Sequence, residues 1–277
     1  MNFGPALSPL VPVRCREVAM RPVFSLLRSL SLAFPLALAA AAGALGADFT
    51  RDEVQSMLAT ASVTSRPTFA GRSLAGLDLH DLDFSAVDLS NADLSDADLR
   101  RVKLVGAKLV GAKLPRAKLN FAWIIRADFS HADLSDAVLE TLVVSAGMET
   151  RPEETARFVG ANLSGAKVTA RFSLDDMHGA NLSRLRASAD MRNQSMGLIR
   201  TDFSRANLAD ANFEGAALAH VNFEFAKLQR ANFSGADLSD ADLAGADLTD
   251  ANFSGAKTTG ASFASASLTG VRGLSLP

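Results

Sequence analysis

The chain has 277 residues, 48% of them hydrophobic and 21% charged, which is enough for one or two buried cores. Its 28 basic and 30 acidic side chains leave no electrostatic footprint for nucleic acid, and its single cysteine, Cys15, excludes a disulfide framework. No P-loop, G-x-S-x-G, H-E-x-x-H or C-x-x-C occurs, so no motif points to catalysis, a metal or a cofactor.

Residues 1–47 read as an upstream extension followed by a signal peptide. From Met20, the arginines Arg21 and Arg28 supply a positive start, residues 30–42 a short apolar stretch, and Ala42-Gly43-Ala44 an A-x-A-like cleavage site, with a later cut after Ala47 as the alternative. Residues 1–19 then represent an upstream mis-start. The apolar run is shorter than the ~20 residues of a membrane span, so a periplasmic or secreted product is expected ahead of a membrane-anchored one. Residues 1–47 hold four arginines and one glutamate, so the remainder carries 24 basic and 29 acidic residues. Residues 48–68 follow as a cap helix and linker. Thr50 and Glu53 have capping-box spacing, and Val54, Met57, Leu58 and Ala61 recur at helical intervals, which predicts an amphipathic helix over about 51–61.

From Phe69 a different period takes over. Leu74, Leu79, Phe84, Leu89, Leu94, Leu99, Leu104, Leu109, Leu114 and Leu119 fall at every fifth residue, and the run extends to Leu139. Two places before nearly every centre stands a small or aliphatic residue, as at Ala92, Ala97, Val102, Ala107 and Ala112. Neither helix nor strand has a period of five, so a larger repeat sets it. The A(D/N)LXX pattern resembles the pentapeptide-repeat proteins. The resemblance covers roughly residues 69–139 and 158–270. It implies an all-β, right-handed quadrilateral parallel β-helix, with the centre and its preceding small residue pointing inward and four units to a coil. Residues twenty apart then stack. Lys103, Lys108, Lys113 and Lys118 form a ring of four lysines, but Asp83, Asp88, Asp93 and Asp98 lie twenty residues before them and Asp128 and Asp133 twenty after two of them. This reads as charge alternation along the stack, not as an anion site.

Two irregular insertions are expected at 140–157 and 171–197, where function would sit; the second keeps one clear unit, Ala180-Asn181-Leu182, and reads either as a coil and a half of poor match or as a loop that leaves the helix. Before the first, Phe121, Trp123 and Ile125 fall at outward positions and form an apolar patch, with Val143 placed twenty residues after Trp123 to cover it. Met148, Met177, Met191 and Met196 occur in the two insertions, with His178 beside one of them. In the second arm, 198–270, Phe213, Phe233 and Phe253 are twenty apart and predict one aromatic column, with Leu104, Leu109 and Leu114 as core of the first arm. The tail, 271–277, shows no second cap helix, which leaves a homodimer through a solenoid end as an option.

These features predict an exported, non-enzymatic scaffold or protein-binding module with an unidentified protein partner, no nucleic-acid ligand, no small-molecule substrate and no cofactor. The binding residues expected are Phe121, Trp123, Ile125, Val143, Met148, Met177, His178, Met191 and Met196. Two alternatives stand beside it. The resemblance implies a DNA-mimicking topoisomerase (gyrase) binder, against which the lysine ring and the export signal speak. The thioether and imidazole side chains allow a periplasmic Met/His copper binder.

Overall fold

The computed structural model describes residues 46–60, 66–147, 150–188 and 200–274. Cys15 and the Ala42-Gly43-Ala44 cleavage site, and Met148, Met191 and Met196, lie outside them.

Each five-residue unit makes one side and one corner of a coil. In the unit centred on Leu94, Ala92 and Leu94 are buried while Asp93 lies between them on the outer surface, paired in parallel with Ser73 below and Lys113 above. The Ala92 N–H closes the preceding corner on the Leu89 carbonyl at 3.0 Å. The second corner residue takes a left-handed conformation, as at Asn91 (φ 56°) and Gly106 (φ 66°). Asp or Asn precedes so many centres because its side chain folds back on the next corner: Asp93 Oδ1 accepts the Ser95 N–H at 2.9 Å, and Asn232 Oδ1 accepts that of Ser234 at 3.2 Å.

The twenty-residue register gives four stacked sides. The first runs through Thr68, Asp88, Lys108 and Asp128, the second through Ser73, Asp93, Lys113 and Asp133, the third through Asp78, Asp98, Lys118 and Val138, and the fourth through Asp83, Lys103, Trp123 and Val143. Inside, Leu104, Leu109 and Leu114 are fully buried. Phe213, Phe233 and Phe253 stack with ring centroids 4.9 Å apart, and Phe203 stacks on Phe223 at 5.3 Å. Outside, the second side of the later coils is an amide ladder, in which Asn232 donates to Asn212 at 2.9 Å and Asn252 to Asn232 at 3.0 Å. The four ring lysines are exposed and stacked on aspartates, yet among these stacked pairs only Lys103 and Asp83 come within 4 Å, at 3.9 Å. The aspartates are turned toward their own corners instead.

At the start, α1 (Arg51–Ala59) carries a reciprocal capping box between Thr50 and Glu53 and buries Val54. Arg51 donates to the carbonyls of Asp78 and His80, and Phe49 meets Phe69 edge-on at 5.6 Å, so the helix and the residues before it sit on the first coil. At the other end, Phe263, Leu268 and Val271 of the last coil are only partly buried.

The two interruptions differ from their sequence-based bounds. β1 (Val138–Glu140) pairs in parallel with β2 (Lys167–Thr169), and Val143 still pairs with Trp123, so 140–143 belong to a coil. The insertion lies between Val143 and Arg157, and its Pro152–Glu154 segment forms one 3-10 turn. The stretch 171–197 is not irregular throughout: Arg171, Asp176, Asn181 and Arg186 are all ladder residues. Its coil was hidden because Lys167 and Arg171 are four residues apart instead of five, and because Met177 and Ala187 stand where Leu or Phe is usual. Arg171 pairs with Asp202, thirty-one residues on, making Phe203 the next described centre. The extra chain of this second interruption falls between Arg186 and Asp202.

Candidate interaction surface

All three irregularities fall on or beside one side. The first insertion leaves after Val143 on the fourth side, the short corner delivers the chain to Arg171 on that side, and the second insertion returns it at Asp202, also on that side. Among the described residues the exposed large hydrophobics are Phe121, Trp123 and Phe225, at 50%, 41% and 59% exposure. Trp123 is a fourth-side ladder residue. Phe121 occupies the corner just before it (φ 62°), and Phe225 the corner just after Asn222 of the same side (φ 56°). The opposite, second side has its amide ladder and none of these three residues.

The fourth side is also where the backbone ladder opens. Below, Val143 donates to Ala122 O at 2.9 Å and accepts from Ile124 N at 3.0 Å. Above, Arg171 is paired with Asp202, through Asp202 N to Ala170 O at 3.0 Å and Phe172 N to Asp202 O at 2.7 Å. No bridge joins Val143 to Arg171, and an opening of about 570 Å³ lies there. A second opening of about 580 Å³ shares Arg171 and Asp202 with it and reaches Phe225. Lys103 stands over the Trp123 ring, 5.9 Å from its centroid, a cation–π contact on the rim of the apolar patch.

Two buried polar side chains repair the backbone around these breaks. Asp175 stands where Ala is usual, is 1% exposed, and accepts the N–H of Ala156, the residue that brings the first insertion back into the coil, on Oδ1 at 2.9 Å. Its Oδ2 has no partner, and burial pushes its carboxyl well above the ordinary carboxylate range, against the lesser downward pull of the Ala156 hydrogen bond. Thr201, fully buried at another Ala position, donates toward the carbonyls of Val168 at 3.1 Å and Ala187 at 3.2 Å, one at the short corner and the other at the departure of the second insertion. Neither role is readable from spacing alone, although a polar residue in place of an inward Ala is the signal that marks both.

The sequence-predicted binding residues do not form one group. Phe121 and Trp123 are exposed on the fourth side, with Val143 next to Trp123 in the ladder and half-buried. Ile125 is not part of the exposed patch: it is 7% exposed, where Arg126 beside it donates to Glu154 O and the insertion's 3-10 turn takes the place of a coil corner. Met177 is a centre residue with no exposure, buried in the core, whereas His178 is exposed and paired with Asp176 at 2.9 Å. Met177 therefore belongs to neither a binding surface nor a thioether–imidazole site with His178.

A parallel solenoid with five-residue sides, closed by Asx corners and stacked every twenty residues, defines a class of repeat proteins. The chain belongs to the pentapeptide-repeat family: the sequence profile of that family, "Pentapeptide repeats", matches in eight copies within residues 78–114, 198–235, 217–255 and 236–272. HetL, a pentapeptide-repeat protein involved in heterocyst differentiation regulation in the cyanobacterium Nostoc sp. strain PCC 7120, is 30% identical over 74% of this chain and 89% of its own, with a TM-score of 0.29. A pentapeptide-repeat protein of the Arabidopsis thaliana thylakoid lumen is 29% identical over 40% of this chain and 68% of its own, with a TM-score of 0.23. Full-length QnrB1, a plasmid-mediated fluoroquinolone resistance protein, is 20% identical over 74% of this chain and 90% of its own, with a TM-score of 0.24. No curated protein matches the chain.

Proposed function

We propose that this protein is an exported, non-enzymatic interaction module that uses its solenoid as a rigid frame and presents the fourth side to a protein partner. One observation carries the reading: the three exposed large hydrophobics and all three irregularities of the coil gather on the same side or its corners. Exposed aromatics are the residue type that anchors protein interfaces, and a frame fixed by backbone ladders loses little entropy on binding. The export component rests on the signal-peptide pattern of residues 20–47.

The test is capture from fractionated native cells with the tagged full chain and with the Phe121→Ala, Trp123→Ala, Phe225→Ala variant. The expected result is one periplasmic protein held by the natural chain and released by the variant. Equal capture by both would move the interface off the fourth side. Capture of a topoisomerase from the cytosol would overturn the reading, export included.

A further inference from the structure

The opening between Val143 and Arg171 exposes half of a strand-pairing edge. In a regular coil of this side, the Leu82 carbonyl accepts the Lys103 N–H at 3.0 Å and the Phe84 N–H donates to Lys103 O at 2.8 Å, so each ladder residue is held by the groups flanking its neighbour below. The corresponding groups around Val143 are the Leu142 carbonyl and the Val144 N–H, and neither forms a backbone hydrogen bond among the described residues. Both residues line the opening. A backbone donor and acceptor spaced across one ladder residue suit the main chain of an extended segment, which is how peptides add to sheet edges. The volume of the opening, about 570 Å³, falls within the range of binding clefts.

The surroundings specify the occupant further. The outward column below the opening is Lys103, Trp123, Val143, so the residue of an added strand that stacks on Val143 continues an apolar column. Among the described residues, Arg171, Arg200 and Asp202 also line the opening.

We propose that an extended, apolar segment of a partner protein adds a strand to the Val143 edge, pairing with the Leu142 carbonyl and the Val144 N–H inside the opening. This rests on the interaction-module reading and names the partner's recognised element.

The probe is a displayed library of short random peptides panned on the full chain. The enriched peptides are then synthesised with and without N-methylation of each central backbone nitrogen. Strand addition predicts enriched peptides that share an apolar residue at one position. One N-methyl position, and Val144→Pro in the protein, should each weaken binding about tenfold or more, while Asn232→Ala on the second side leaves it unchanged. Methylation is the control for any misfolding of the proline variant. Enriched peptides indifferent to every methylation, or no enrichment at all, would overturn strand addition. The interaction-module reading is judged separately, by whether natural-partner capture depends on Phe121, Trp123 and Phe225.

Discussion

Asp175 and Ala156 lie one coil apart, and the carboxyl group of the first holds the backbone N–H of the second at 2.9 Å in the core. In a regular unit that N–H would close a corner on the centre carbonyl three residues back, as Ala161 does on Phe158. The first insertion removes that carbonyl from reach, and Asp175 takes its place. An ionisable group is thus buried to tie down a loop, and the arrangement carries a pH signature.

Burial raises the Asp175 carboxyl well above its ordinary 3.8. The folded protein therefore holds this proton more tightly than the unfolded chain. The stability it contributes is fully present below the unfolded value and is lost as pH rises through the raised folded value. Asp175→Asn keeps an oxygen acceptor without the charge. Urea midpoints measured from about pH 4 to 8 should fall less steeply with rising pH in this variant than in the natural chain, and the variant should be the more stable at neutral pH. Parallel profiles would contradict the assignment.

Thr201 is the complementary repair, a buried donor serving two carbonyls. Thr201→Val keeps the shape and leaves those carbonyls unpaired, so it should cost about 1–3 kcal/mol in chemical denaturation. By contrast Arg116 forks onto both carboxylate oxygens of Asp96, at 2.7 and 2.6 Å, but the side chains are 59% and 54% exposed. Arg116→Ala should cost less than about 1 kcal/mol. Equal losses in the two variants would show that burial is not what ranks them.

The Phe225 ring lies against Gly245, one coil on, where a Cβ would run into ring carbons, and Gly245 has φ +67°. At Gly71, φ +66°, a Cβ meets nothing within 4 Å. Gly71→Ala should therefore show the backbone cost alone, about 1–2 kcal/mol. Gly245→Ala should cost more, and Phe225→Ala should remove the excess, with a coupling of about 0.5–3 kcal/mol in a double-mutant cycle. Additive effects would mean the ring simply swings away.

Phe233 is stacked between Phe213 and Phe253, each at 4.9 Å, and meets Phe223 edge-on at 6.0 Å. Phe233→Ala should cost about 3–5 kcal/mol in chemical denaturation, as large aromatic truncations do. A loss near zero would refute the continuous column.

The sequence carries the repeat wherever each side obeys the same five-residue rule, because Leu104 or Phe213 announces its inward position by type alone. The coil through Met177 is only weakly marked, by Ala180-Asn181-Leu182, for three local reasons: a four-residue step from Lys167 to Arg171, an Asp at an Ala position, and a Met at a Leu position. The candidate surface was legible only in fragments. Phe121 and Trp123 stand out as apolar residues at outward positions, but their kinship with Phe225 requires knowing which residues share a side. That depends on how many residues each interruption adds or removes, and only the ladder from Trp123 through Val143, and then from Arg171 to Asp202 and Asn222, reveals it. Burial of Ile125 likewise follows from where the 3-10 turn lands, a tertiary fact.

The central claim is that the fourth side is the interaction surface, and site-specific photo-crosslinking in native cells tests it most directly. A photoreactive residue placed at Trp123, or on the opposite side at Asn212, leaves the buried core of the coil untouched. The account predicts a discrete crosslinked partner from position 123 and none from position 212. Crosslinks from 212 alone, or the same partner with equal yield from both, would contradict it.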